Sequence, residues 1–152
     1  MITVSEAREK ITANCPIAKI IQLPLHKAGG YVLAETLVAP IDTPHFDQSA
    51  MDGYAFSFSD WDCMSDLVLA GEIQTGNHFK GSLKPMKALR IFTGAALPSC
   101  ADTVVIQEKV IKDDNRITIK DSKLYKGSNI RLRGSQTKQG ELVLKAGHLL
   151  TP

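Results

Sequence analysis

"ADTVVIQEKVIKDDNRITIK", residues 101–120, decides the class of fold. Thr103–Glu108 is a short run rich in valine and isoleucine, while Val110–Ile111 and Arg116–Ile119 flank the triplet Asp113-Asp114-Asn115. Apolar runs around such a triplet predict a β-hairpin, because Asp and Asn bond their own backbone and tolerate tight turns. The same texture extends upstream. Leu67–Ile73 and Ala88–Phe92 read as strands, with turn signals at Gly76-Asn77, Gly81-Ser82, Gly94 with Pro98, and Gly127-Ser128. Many short strands with frequent turns predict a mainly β fold with minor α, as a small barrel or sandwich.

The flanks differ. From Thr3 to about Ala13 the pattern is helical, with Thr3 and Glu6 spaced as a capping box and Val4, Ala7 and Ile11 forming one thin apolar stripe. Asn14 and Pro16 stop it. Ile20–Leu25 contains Pro24 and suits an extended or edge segment. Lys27–Gly30 reads as a turn, Tyr31–Val38 as a strand, and Glu141–Leu144 and His148–Leu150 flank the turn Lys145-Ala146-Gly147.

At 152 residues, with 43% hydrophobic and 22% charged content, the chain has the composition of a soluble globular domain. A net charge of +2 does not require nucleic acid or an anionic membrane as partner, although basic residues gather between Lys109 and Lys145. No apolar stretch approaches the roughly 20 residues that span a bilayer, and MITVSEAREK is no signal peptide. Cys15, Cys63 and Cys100 are scattered without a CxxC pair, which predicts reduced, buried structural thiols in a cytoplasmic protein. His26, His45, His78 and His148 have no ligand spacing, and no Ser/His/Asp or Cys/His set suggests a nucleophile.

Three stretches concentrate chemistry. In "FDQSAMDGYAFS" (46–57), Asp47 and Asp52 with Ser49 between them could hold a hard cation such as magnesium, and Gly53 could admit a ligand or a positive φ. The same residues also suit ordinary turn bonds, with Asp52 capping. In "IFTGAALP" (91–98), Thr93-Gly94 offers a hydroxyl and backbone N–H groups at a strand tip, as in phosphate contacts, or an ordinary strand exit. In "GSNIRLRG" (127–134), Arg131 and Arg133 share a face if extended, for an anion or for solvent.

The order of the blocks is more specific than any one of them. "PIDTPHFDQSAMDGYA", "IFTGAALP", "ADTVVIQE" and "NIRLRG" together resemble the N-terminal half of the molybdopterin molybdenumtransferases, the MoeA and gephyrin E-domain family. The resemblance covers essentially the whole chain. It implies a small β-rich lobe over 39–140, a discontinuous stalk-like subdomain of 21–38 and 141–152, and an N-terminal helical segment over 1–20. The helix is expected to pack on an α/β domain that follows in such proteins.

The resemblance implies a cytoplasmic homodimer that inserts molybdenum from molybdate into adenylylated molybdopterin, aided by Mg²⁺, with release of AMP. Contact with a molybdopterin adenylyltransferase is a further expectation; nucleic acid and membrane partners are not expected. By position, Asp52 is expected to face the ligand or its metal. Thr93 would meet a phosphate or hydroxyl, and Arg131 anionic groups, while Ser49 and Glu108 also match family positions. Asp52 and Thr93 are thus the candidate catalytic pair, Asp52 the candidate metal ligand, and Ser49, Arg131 and Glu108 the candidate substrate contacts.

Two departures qualify this. Gly134 is followed by Ser135 and Gln136 where the family usually has Glu-Asp, so an amide replaces an expected carboxylate at 136. The chain also lacks the α/β domain, so the sequence is expected to be inactive alone as an excised fragment or truncated relative. A non-catalytic binding or dimerisation module is the alternative. A small RNA- or DNA-binding barrel using Lys126, Arg131 and Arg133 would lack aromatics spaced along a groove.

Overall fold

The computed structural model describes residues 2–16, 18–63 and 65–151. It falls into two compact units, one of Met1–Leu37 with Leu142–Pro152 and one of Val38–Glu141.

The first unit begins with helix α1 (Val4–Ala13). Thr3 caps it as the sequence predicts: its hydroxyl accepts from the Glu6 amide, and the Glu6 carboxylate accepts from the Thr3 amide at 2.7 Å. No residue of α1 is buried, and Val4 and Ile11 are both more than two-thirds exposed. A single 3₁₀ turn, Leu25–Lys27, follows Pro24. The strand expected over Tyr31–Val38 is interrupted. Gly30 and Leu33 bond Leu150 and His148, with Val32 bridging Leu149, but Ala34 to Thr36 leave the ladder. Pairing resumes only in β1 (Leu37–Val38), whose partner β10 (Leu142–Leu144) matches the expected C-terminal strand.

The second unit is mainly β. Its strands are β2 (Gln48–Ser49), β3 (Gly53–Phe56), β4 (Leu67–Ile73), β5 (Lys87–Ile91), β6 (Thr103–Ile106), β7 (Val110–Asp113), β8 (Arg116–Ile119) and β9 (Ile130–Arg131). Six of them form a curled half-barrel sheet in the order β6-β3-β5-β4-β8-β7, while β2 pairs with β9. The hairpin β7–β8 turns at Asp114-Asn115, with Asp113 opposite Arg116 and Asp114 at φ +50°. The run Thr103–Glu108 ends as a strand at Ile106 because Gln107–Lys109 curls into a 3₁₀ turn.

Solid apolar runs, not alternation, mark the central strands because both faces of the sheet are covered. Ala55, Leu89, Ile91 and Val104 join Ile73, Ala95 and Ala101 in one buried cluster. Their neighbours Tyr54, Phe56, Ala88 and Val105 join Leu67 and Ile117 in another.

The "FDQSAMDGYAFS" stretch carries turn chemistry in its sequence, yet Gly53–Phe56 within it is the interior strand β3, between β5 and β6. The role expected of Gly53 also changes. Its φ is not positive, and a Cβ there would lie 2.0 Å from the Val105 carbonyl oxygen, so glycine admits strand β6 and not a ligand. The cysteines differ from expectation too: Cys15 and Cys63 are exposed and Cys100 is half-buried, so none is the buried structural thiol expected.

Candidate functional site

The four sequence blocks converge on β2 and the turn that follows it. On one side, Gln48 bridges Ala96, Leu97 donates to the Asp47 carbonyl, Ser49 donates to Ala95, and Gly94 donates to Ser49. On the other side, Gln48 lies opposite Arg131 and Ser49 opposite Ile130, while Ala50 donates to the Asn129 carbonyl. The fourth block joins through Gln107, whose amide donates to the Asp52 carbonyl at 3.1 Å. Segments distant in sequence are thus laced by backbone bonds around residues 47–52.

At the centre of this junction Asp52 meets Thr93. Asp52 Oδ1 accepts from the Thr93 amide at 2.8 Å and from the Thr93 hydroxyl at 2.7 Å, across 41 residues of chain. The Thr93 hydroxyl, and then its amide, hold the Asp52 carboxyl below the usual carboxylate range; partial burial opposes them and the Arg90 charge assists. Asp52 is therefore an anion at neutral pH. Thr93, having donated its hydroxyl proton to Asp52, has only lone pairs left for a ligand. Together they form an acceptor-rich surface that suits a cation or hydrogen-bond donors.

That surface corrects one expectation from the sequence. The backbone N–H groups at the "TGA" turn are not bare: Thr93 donates to Asp52, Gly94 to Ser49, and Ala95 to Phe92. The turn therefore offers no nest of free donors to a phosphate.

The remaining candidates are dispersed around the pair. Ser49 is fully buried, and its hydroxyl donates to the Met51 carbonyl at 2.6 Å, so it braces the turn. Glu108 is exposed in the 3₁₀ turn and accepts from Gln107 Nε2 at 3.1 Å. Arg131 is exposed on β9, and no side-chain hydrogen bond or ion pair is made by it among the described residues. Arg133 does not share its face. The chain turns after Arg131, Arg133 Nε donates to Asp42 Oδ2 at 2.7 Å, and its amide donates to Asp47 Oδ1 at 2.7 Å. Gln136 is exposed, with its backbone N–H donating to the Thr43 carbonyl.

Asp47 and Asp52 consequently serve different neighbours. Among the described residues, no group of three or more His, Cys, Asp or Glu side chains could hold a metal ion. Asp52 Oδ2 makes no bond among them either, so the chain supplies one open carboxylate oxygen. Such a donor set does not make an all-protein cation cage.

Sequence reasoning missed two side chains here, Arg90 and Gln107. Arg90 Nη2 donates to Gln107 Oε1 at 2.6 Å, and Arg90 Nη1 donates to the Gly53 carbonyl at 2.9 Å. The available signal was an arginine set between apolar neighbours in the strand "KALRI".

Comparison with known proteins is consistent along the whole chain. A family described as the MoeA N-terminal region (domain I and II) matches residues 2–152. A molybdopterin molybdenumtransferase of Haemophilus influenzae is 39% identical over 155 residues, covering 100% of this chain and 38% of that protein. One from Staphylococcus aureus (strain Mu50) is 34% identical over 156 residues, covering 99% and 37%. Among solved structures, the molybdopterin biosynthesis moeA protein of Pyrococcus horikoshii OT3 superposes with a TM-score of 0.78 at 35% identity, covering 86% of this chain and 35% of that one. The chain thus spans under two-fifths of the length of these curated relatives.

Proposed function

The chain belongs to the MoeA N-terminal region family, and from that premise we propose that it is the N-terminal part of a molybdopterin molybdotransferase. Such an enzyme would insert molybdenum from molybdate into adenylylated molybdopterin and release AMP. The observation that carries this reading is the pair of hydrogen bonds donated by Thr93 to Asp52, which leaves an ionised acceptor pair where four sequence blocks meet.

Asp52 fixes negative charge at the site, while Thr93 holds the carboxylate in one orientation. Arg131, exposed and uncommitted, is the group offered to the anionic parts of substrate. Mg²⁺, when bound, would neutralise phosphate charge against Asp52 and thereby reconcile an acceptor-rich wall with a phosphorylated substrate. Ser49 acts by bracing the turn, and Glu108, which accepts from Gln107, offers a further acid on the 3₁₀ turn. We place the protein in the cytoplasm as a homodimer that contacts a molybdopterin adenylyltransferase. No helix among the described residues is long and apolar enough to cross a membrane.

A second reading rests on Gln136. An amide where the resemblance implies a carboxylate favours a non-catalytic binding or scaffold module of the same family. One assay separates the readings. The intact protein should release AMP from adenylylated molybdopterin on addition of molybdate, and the 152-residue chain alone should not. No release by the intact protein would favour the scaffold; release by the chain alone would show that its own residues suffice.

A further inference from the structure

Arg90 sits on β5 with its guanidinium carbon 5.3 Å from the centre of the Tyr54 ring and 4.7 Å from that of Phe92. One arm of the fork donates to the Gly53 carbonyl at 2.9 Å and the other to Gln107 Oε1 at 2.6 Å. Both contacts lie one step from Asp52, along the chain or through a hydrogen bond. Gly53 is the next residue, and Gln107 itself donates its amide to the Asp52 carbonyl at 3.1 Å. With its side-chain oxygen engaged by Arg90, Gln107 directs its nitrogen to Glu108 Oε1 at 3.1 Å.

We infer that Arg90 is the positioning residue of this site: stacked on Tyr54 and Phe92, it ties Gly53 to Gln107 and so sets where the carboxylates of Asp52 and Glu108 stand relative to Thr93. Its relevance to catalysis rests on the reading of Asp52 and Thr93 as the ligand-facing pair. The geometry calls for arginine specifically. A planar fork can reach two acceptors in different directions while lying against rings, whereas a lysine retains the charge but neither the second bond nor the stack.

The test is NMR on the 152-residue chain, following the Thr93 amide and the Asp52 carboxyl carbon from about pH 2 to 7. In the parent chain the Thr93 amide should move with the ionisation of Asp52, and Asp52→Asn should abolish that movement. Arg90→Lys and Arg90→Met are then compared. The inference expects both variants to displace the Thr93 amide signal and to move the Asp52 midpoint towards the ordinary carboxylate value. Parent-like behaviour of Arg90→Lys would overturn it, because charge alone would then suffice. A lower melting temperature with an unchanged titration would also overturn it, because the role would then be only structural. Should neither Arg90 variant fold, Gln107→Leu, on an exposed turn, decides: a displaced Thr93 amide supports the inference and an unchanged one refutes it. Normal turnover in an intact Asp52→Asn protein would remove the catalytic reading while leaving this titration result standing.

Discussion

Replacing Gly53 with alanine would place a methyl carbon 2.0 Å from the Val105 carbonyl oxygen and 3.1 Å from Val104 Cγ1. Real Cβ contacts are essentially never shorter than 3.0 Å, so strands β3 and β6 would have to part by about 1 Å. The obstacle is backbone, which cannot swing aside as a side chain can. Gly53 pairs with Ile106 at one end of the β3–β6 ladder, and Tyr54 to Phe56 continue it through the interior of the sheet. Overpacking of this kind costs about 1–3 kcal/mol, with backbone clashes at the upper end. For a protein of this size, roughly 3 kcal/mol corresponds to a fall in melting temperature of roughly 6–12 °C. Circular dichroism melts of parent and Gly53→Ala chains would measure it. A melting point within about 2 °C of the parent, typical of an ordinary surface substitution, would refute the close approach of β3 and β6.

Acid should destabilise the chain in a defined window. The carboxyls of Asp42, Asp52 and Asp121 are held below the usual range, first by the Gln139 amide, the Thr93 hydroxyl and the Lys123 amide respectively. A depressed folded-state pKa contributes stability that is complete above the unfolded value, near pH 4, and is lost as pH falls through the lower folded values. Urea midpoints should therefore be level from neutrality to about pH 4 and drop below it; a level profile to about pH 2.5 would contradict these bonds. Thr3→Ala should remove the cap of α1 and weaken that helix by about 1 kcal/mol. The loss should appear as reduced helical circular dichroism with the main melting transition unmoved, since α1 has no buried residue; a shifted transition would contradict this.

Local signals were legible wherever one segment determines its own structure. The Thr3/Glu6 box, the Asp113–Arg116 turn and strand β4 each follow from chemistry within a few residues, and each lies where the sequence predicts. Elements that depend on distant partners were not legible. Strand β3 does not show in the sequence because the glycine and acid at its start suggest a turn, and only the pairing with β5 and β6 makes it interior. Tyr31–Val38 reads as one strand because apolar residues dominate both of its ends, whereas its partner residues 147–150 reach only as far as Leu33.

For the site, Asp52 and Thr93 could be named from the order of the blocks but not joined. Their bond spans 41 residues, and no local pattern encodes it. Arg90 escaped notice because an arginine in a strand ordinarily faces solvent. Its two ring contacts and forked bonds appear only once β3, β5 and the Gln107–Lys109 turn are assembled.

The central claim is that Asp52, held by Thr93, forms part of the surface that acts on substrate. Asp52→Asn in the intact protein tests it most directly, with AMP release on molybdate addition as the readout and the melting temperature as a control for folding. The account predicts a rate lower by about a hundredfold, the lower end of what one preorganised electrostatic contact contributes, with the melt little changed. A parent-like rate in a folded Asp52→Asn protein would contradict it.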